Sequence, residues 1–140
     1  MNLNAHGFFE IEQYNDIVLI RFIGSMNVEL YLEYNKEISA IGRMYNGRKW
    51  AEVLDYREWE LAPHEVFEKA LELEKNPEKQ RFRCSDQVII ATSKIIEQIS
   101  IQNNKNPVYV KSDFVKNVEE AFTILNGKGY LGEIPLLHRR

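Results

Sequence analysis

The stretch Trp50-Ala51-Glu52-Val53-Leu54-Asp55-Tyr56-Arg57-Glu58-Trp59 is a short apolar run that ends in an acidic residue and leads into aromatic and charged side chains. The run predicts a buried strand over Ala51–Asp55, followed by a loop. Open α/β sheets bind ligands just beyond the carboxyl ends of their strands. We therefore expect a ligand to meet the segment from Asp55 to His64.

Length and composition indicate one globular domain. The chain has 140 residues, which is a common size for a single domain. Its composition, with 44% hydrophobic and 28% charged residues, is typical of a chain that folds throughout. We predict a single domain over residues 1–140, with a core over about residues 7–127 and a C-terminal extension over residues 128–140.

The charge and the apolar pattern of the chain limit the classes of partner that we expect. The net charge of −3 gives no general attraction to a phosphate backbone, so we expect no nucleic-acid partner. The longest apolar stretches, Ile17–Ile20 and Val88–Ala91, are far shorter than the ~20 residues of a membrane span. A single cysteine, Cys84, and an N-terminal sequence without the pattern of a secretory signal favour the cytoplasm.

The N-terminal segment predicts a β-hairpin. Phe8–Gln13 and Asp16–Ile23 are rich in β-branched and aromatic residues and are separated by Tyr14-Asn15, which suits a tight turn. Both faces of the second arm are apolar, so this strand should lie inside the sheet with helices on both sides.

The rest of the chain alternates between helical and strand patterns. The last predicted helix has the best start signal, because Asn117 and Glu120 have capping-box spacing. The predicted fold class is α/β, a mixed and mainly parallel sheet of about five strands with four helices. In order, the elements after the hairpin are a helix over about residues 28–45, the strand Ala51–Asp55, a helix from Pro63 to about residue 75, a strand over residues 87–91, a short helix carrying Ile95, Ile96 and Ile99, the strand Pro107–Val110, and a helix over residues 117–126.

This order of segments resembles the STAS domain, the fold of the anti-sigma-factor antagonists (the SpoIIAA-like family), and more closely its stand-alone bacterial relatives. The resemblance covers roughly residues 7–127. It rests on three segments: Val18–Gly24 leading into a helix, Val53-Leu54-Asp55, and Val108-Tyr109-Val110 followed by Asn117–Leu125. It implies a STAS-like fold, which is also compared with the lipid-binding CRAL-TRIO domain, and a regulatory or binding role.

One departure from that family concerns its switch. In the phosphorylation-switched members, a Ser or Thr follows the Val-Leu-Asp strand and is phosphorylated by a partner kinase. Residues 40–84 of this chain contain no serine or threonine. Phosphorylation needs a hydroxyl to carry the new charge, so this mode of regulation is not implied here.

The candidate ligand-binding residues lie after two predicted strands. Tyrosine and tryptophan combine apolar area with a polar tip, and arginine grips anions, so such residues suit a half-wet pocket. The alternatives are that Trp59 only packs on the core, that Arg57 is solvated, and that the hydroxyls near residue 92 only cap a helix. The candidates are Asp55, Tyr56, Arg57, Trp59, His64, Thr92, Ser93 and Lys94.

Catalytic and metal chemistry find little support in the sequence. His6, His64, His138 and Cys84 are far apart and show no metal-ligand spacing, and no phosphate-binding glycine motif is present. We expect no cofactor, no metal and no enzymatic activity. The leading hypothesis is a domain that binds a small apolar or amphiphilic ligand, such as a lipid.

The alternative hypothesis is a protein-interaction or self-association module, for example a homodimer. It would use the hairpin edge or the first helix. Tyr31, Tyr34 and Tyr45 motivate it, because tyrosine is enriched at protein interfaces.

Overall fold

The computed structural model describes residues 7–60, 62–94, 98, 101 and 103–134. It contains a five-stranded sheet in the order β1-β2-β3-β4-β5, with helices on both faces. The elements are β1 (Gly7–Tyr14), β2 (Ile17–Gly24), α1 (Val28–Tyr45), β3 (Ala51–Trp59), α2 (His64–Glu74), α3 (Pro77–Phe82), β4 (Asp86–Ile90), β5 (Ser112–Val115) and α4 (Val118–Gly127). None of the described helices is long and apolar enough to cross a membrane.

The sheet confirms the predicted topology. β1 and β2 form an antiparallel hairpin, and β2, β3, β4 and β5 pair in parallel. Asn15 makes the hairpin turn in the left-handed region, with φ at 57°, a conformation that asparagine tolerates better than most residues. β2 lies between β1 and β3, and its first four residues, Ile17–Ile20, are at most 1% exposed.

Two hydrophobic layers sandwich the sheet. Val18, Ile20 and Phe22 project from β2 toward α1, whereas Ile17 and Leu19 project toward α4, as the two-residue period of a strand requires. Burying an aliphatic side chain of this size contributes roughly 1.5–3 kcal/mol. The apolar pattern on both sides of β2 thus fixes a three-layer arrangement.

The helix boundaries follow side-chain capping. The Asn27 side chain accepts from the Leu30 backbone N–H at 2.8 Å, and α1 ends at Asn46 in the left-handed conformation. At α4, Asn117 accepts from the Glu120 N–H at 2.8 Å while the Glu120 carboxylate accepts from the Lys116 N–H at 2.9 Å. The predicted N-terminal boundary of this helix is therefore confirmed.

The predicted strand at Pro107–Val110 is wrong, and the strand lies at Ser112–Val115 instead. The Asn106 side chain accepts from the Val108 N–H at 3.0 Å and its carbonyl accepts from the Tyr109 N–H at 3.1 Å, so this segment turns. Side-chain bonding of this kind favours turns over strands. The predicted helix carrying Ile95, Ile96 and Ile99 falls on residues outside the described part of the chain.

The segment after α2 forms a helix, α3, that the sequence pattern did not predict. Asn76 caps it through the Glu78 N–H at 2.9 Å. Gly42 allows α3 to pack closely against α1, because a Cβ at Gly42 would lie 2.5 Å from the Phe82 carbonyl oxygen. The same carbonyl accepts a hydrogen bond from Trp50 Nε1 at 3.3 Å.

β3 is longer than predicted, which is a correction to the loop expected after Asp55. It continues to Trp59 beside β2, with a bulge that places two β3 residues against one of β2, since Arg21 pairs with Asp55 and Ile23 with Glu58. An extra residue reverses the alternation of faces. Tyr56 and Trp59, three residues apart, consequently pack on the same side of the sheet.

The chain after α4 packs onto the body over the described residues 128–134. Tyr130 and Ile134 are buried, and the Tyr130 hydroxyl donates to Asp86 at 2.5 Å. The Asp16 carboxylate accepts from the Leu131 and Gly132 N–H groups, each at 2.9 Å. This part of the extension is therefore fastened to the β1–β2 turn.

Candidate functional site

A cavity of about 290 Å³ lies between one face of the sheet and α1, α2 and α3. Its floor is made by alternate residues of β3, Glu52, Leu54 and Tyr56, which share a face because they are spaced by two. Phe22 of β2 and Gln87 of β4 flank this row. The cavity is therefore set on the sheet surface beneath the helices, which corrects the expected position beyond the strand ends.

Aromatic rings form most of one end of the cavity. The Tyr56 ring stacks on Phe22 with centroids 5.2 Å apart, and Trp59 lies 5.1 Å from Tyr56. Tyr34 meets Phe22 edge-on at 4.9 Å, and Phe67 of α2 meets Trp59 at 6.4 Å. Such ring contacts hold one another in fixed orientations, so this end offers a preformed apolar surface.

The opposite end carries polar groups that the sequence analysis did not select. Gln87 Nε2 donates to Glu52 Oε1 at 2.9 Å, and the Cys84 thiol donates to the same carboxyl group. Lys79 Nζ lies 2.6 Å from Glu74 Oε1 and donates to Asn35 Oδ1 at 2.5 Å. The cavity is thus amphiphilic, with aromatic rings at one end and a hydrogen-bonding cluster at the other.

Burial dominates the acid–base behaviour of this cluster. It raises the pKa of Glu52, an effect that the Glu74 charge reinforces and that the Gln87 hydrogen bond and the Lys79 charge oppose. Burial likewise raises the pKa of the Cys84 thiol, and the neighbouring Glu52 carboxyl adds to the rise. Cys84 is therefore held as a thiol, a poor nucleophile.

One polar atom at the aromatic end lacks a hydrogen-bond partner among the described residues. Trp59 Nε1 is buried, and no described residue accepts its hydrogen bond. Leaving a buried donor unsatisfied costs roughly 1–3 kcal/mol. A ligand oxygen or an ordered water would remove that cost.

Only two of the eight candidate residues from the sequence line the cavity, Tyr56 and Trp59. Asp55 lies on the other face of β3, where its buried carboxylate accepts from Arg57 Nη2 at 2.8 Å and faces Arg21 Nε at 3.5 Å. His64 is exposed and pairs with Glu68 at 2.8 Å. The remaining candidates do not line the cavity: Thr92, Ser93 and Lys94.

Glu52 is the residue that sequence reasoning missed most clearly. It is a charged residue inside the apolar run of β3, and it is 7% exposed. Glutamate is almost never buried without a partner, so a carboxylate in the middle of a strand predicted to be buried was the available signal. No group of three or more His, Cys, Asp or Glu in the described part of the chain could hold a metal ion.

Comparison with known proteins identifies solved structures that share this fold. No model of a known protein family matches the sequence, and no curated protein matches it. A crystal structure of an uncharacterised protein of the DUF3478 family from Shewanella loihica PV-4, with a SpoIIAA-like fold, matches with a TM-score of 0.67 at 16% identity. The match covers 89% of this chain and 98% of that one.

A second solved structure is the anti-sigma factor antagonist SpoIIAA in its unphosphorylated form. It matches with a TM-score of 0.59 at 14% identity, over 87% of this chain and 99% of that one. These likenesses define an α/β domain with a STAS-like, SpoIIAA-like fold. At such identities the shared property is the fold, and function must be argued from the site.

Proposed function

We propose that this protein is a non-enzymatic, cytoplasmic SpoIIAA-like domain that binds a small, mainly apolar and amphiphilic molecule in the cavity beneath α1, α2 and α3. The observation that carries the proposal is the cavity itself, with aromatic walls at one end and the Glu52 cluster at the other. Its volume of about 290 Å³ is near the lower end of ligand pockets, ~300–1,000 Å³.

The lining supports an amphiphile over a purely polar ligand. Burying apolar ligand surface against Tyr56, Trp59 and Leu54 would contribute roughly 25 cal/mol per Å². The buried Trp59 Nε1 and the Glu52 cluster then supply a few directional contacts that orient the ligand. Apolar walls with few placed polar groups are the usual composition of small-molecule sites.

The absence of a phosphorylatable hydroxyl supports regulation by a ligand instead of by a kinase. The helix that follows β3 begins at His64 after Pro63, and no side chain caps it. With no Ser or Thr over residues 40–84, the switch of the phosphorylated family members has no acceptor there.

A thermal-shift screen of lipids and metabolites, followed by native mass spectrometry, tests the proposal. A ligand at a hundredfold excess over its Kd should add ~2.7 kcal/mol of stability. Ala70 lines the cavity, so Ala70→Phe should fill part of it and weaken any such shift. The matched control is Ala40→Phe, at an exposed position on α1, which should leave the shift intact. A screen in which nothing shifts the wild-type protein would contradict the proposal.

The second candidate, an interaction module, is favoured by a different observation. β1 is an edge strand of the sheet, and Phe8 on it is 53% exposed. An open strand edge can pair with another chain. The tyrosines that motivated this idea do not contribute, because Tyr31 and Tyr34 are buried and the Tyr45 ring stacks on Trp50.

Light scattering at high protein concentration tests the self-association form of this candidate. A mass near twice 16.5 kDa that Phe8→Glu returns to the monomer value would support it. A monomer at all concentrations would remove the homodimer and leave only a different protein partner.

A further inference from the structure

The charges in the cavity favour one class of ligand head group. Resting on the proposed function, we infer that the cavity takes a hydrophobic amine, and that the Glu52 carboxylate receives its positively charged nitrogen.

Glu52 is the cavity-lining carboxylate that lacks a cation. Three glutamates line the cavity, and two of them are paired. Glu74 lies 2.6 Å from Lys79 Nζ, and Glu78 lies 3.7 Å from Arg43 Nη1. Glu52 forms no ion pair with any Lys, Arg or His that the structure describes, and its printed donors are the neutral Gln87 amide and Cys84 thiol.

The hydrogen bonds of Glu52 leave room for a further donor. A carboxylate has two oxygens with about four acceptor positions. The Gln87 amide and the Cys84 thiol occupy two of them. An ammonium group has up to three N–H donors and would bring the charge that the neutral donors do not.

Aromatic rings in the cavity lining favour the same charge. Tyr31, Tyr34 and Tyr56 line the cavity together with Glu52. The Glu52 charge helps to raise the pKa of each tyrosine hydroxyl, after burial as the larger cause. An aromatic face attracts a cation by ~0.5–2 kcal/mol, the larger value applying where water is excluded.

An anionic head group is disfavoured by the same arrangement. The nearest cation, Lys79, is already paired with Glu74 and bound to Asn35. A carboxylate ligand placed beside Glu52 would set two buried like charges together, which raises the cost of both. A cationic head group has the opposite effect, because it stabilises the ionised form of Glu52. The Glu52 carboxyl group therefore releases its proton when the cation binds.

The groups that face Glu52 come from every element packed around it. They are Tyr31 and Tyr34 of α1, Tyr56 of β3, Glu74 of α2, Lys79 of α3 and Cys84 before β4. Burial raises the pKa of Glu52, so a larger fraction becomes ionised as the pH rises. The affinity for an amine that stays protonated should consequently increase as the pH rises from the ordinary glutamate pKa through the raised value.

Three probes with the same eight-carbon chain separate the possible head groups: octylammonium, octanol and octanoate. Calorimetric titration into the wild-type protein should show octylammonium binding at least tenfold tighter than the other two. Glu52→Gln, which keeps the shape and removes the charge, should abolish that preference while octanol binding is retained. The control Asp55→Asn removes a buried carboxylate on the opposite face and should keep the preference.

The outcomes distinguish this inference from the proposed function. Equal binding of octylammonium and octanol overturns the amine assignment but leaves the apolar cavity as a binding site. Preference for octanoate overturns it in favour of Lys79. Binding of none of the three overturns it as well, and the ligand screen then judges the proposed function separately.

A measurement on the unmodified protein covers the case in which Glu52→Gln does not fold. Repeating the titration in buffers of different ionisation enthalpy reports the protons exchanged on binding. Release of protons by octylammonium, and none by octanol, is expected. No proton release with octylammonium at any pH from the ordinary glutamate pKa upward would overturn the inference.

Discussion

Glu52 and Gln87 face each other across the parallel strands β3 and β4, and the Gln87 amide donates to Glu52 Oε1 at 2.9 Å. Gln87 in turn accepts from the Ser112 hydroxyl of β5 at 2.5 Å. This polar row crosses three strands on a face that is otherwise apolar. Buried polar rows are costly unless each member is satisfied, so apolar packing alone does not account for this row beside the cavity.

The first prediction concerns the pH dependence of stability. Burial raises the pKa of Glu52, so the folded protein binds this proton more tightly than the unfolded chain does. The contribution is fully present below the ordinary glutamate pKa and is lost as the pH rises through the raised value. Glu52→Gln should remove this loss, and urea unfolding between pH 4 and pH 9 should show a flatter profile.

A surface variant supplies the control for this experiment. Glu37 is exposed on α1, so Glu37→Gln removes one negative charge without touching the cavity. Its pH profile should parallel that of the wild type. If Glu52→Gln also parallels the wild type, the carboxyl group does not carry the proposed burial cost.

The second prediction compares a buried ion pair of β3 with an exposed ion pair between α1 and α3. Asp55 accepts from Arg57 Nε at 3.0 Å and Nη2 at 2.8 Å, and its side chain is 6% exposed. Asp55→Asn replaces a buried charged acceptor of Arg57 by a neutral amide and should lower the free energy of unfolding by about 1–3 kcal/mol. Glu78→Gln, which breaks an exposed pair with Arg43, should cost about 0–1 kcal/mol. Equal costs for the two variants would refute this ranking.

The third prediction tests the docking of the chain after α4. A Cβ at Gly132 would lie 2.2 Å from the Tyr14 carbonyl oxygen, so Gly132→Ala must displace the backbone. The expected loss is about 1–3 kcal/mol by thermal or urea unfolding. Gly127 at the end of α4 has open space around it, and Gly127→Ala should be neutral or stabilising by up to about 1 kcal/mol. Neutral behaviour of Gly132→Ala would mean that this segment does not pack as described.

The fourth prediction concerns the start of α4. Asn117 caps the Glu120 N–H, so Asn117→Ala should cost about 1 kcal/mol. Asn117→Ser, which retains a capping oxygen, should restore most of it. Denaturation of the two variants measures their free energies of unfolding. An alanine variant as stable as the serine variant would argue against a capping role for Asn117.

Local patterns were sufficient for much of the fold. The apolar alternation of β2 predicted an interior strand, and the capping spacing of Asn117 and Glu120 predicted the start of α4. The last strand was misplaced because Val108-Tyr109-Val110 is more strand-like in composition than Ser112–Val115. Pairing with β4 and the Asn106 turn decided the outcome, and neither can be read from propensity.

The site was harder to predict than the fold for two physical reasons. The bulge in β3 brings Tyr56 and Trp59 to one face, and it leaves Asp55 on the other, a division that depends on register with β2. Whether a sheet face is tightly packed or leaves a cavity depends on the volumes of facing side chains. Glu52 lies in the sequence run that predicts β3, and its side chain is buried. The strand pattern alone does not show that α2 and α3 cover this side chain.

The cavity on the α1 side of the sheet is inferred to take a hydrophobic amine, and NMR titration with octylammonium tests whether such an amine binds there. The chain has two tryptophans, and both line the cavity, so two indole N–H signals report on it. We predict saturable shifts of the Trp50 and Trp59 indole signals and of the Leu54 methyl groups, with Val118 and Leu125 methyl groups unchanged. Saturable shifts confined to Val118 and Leu125, or none at Trp50, Trp59 and Leu54, would overturn the amine assignment.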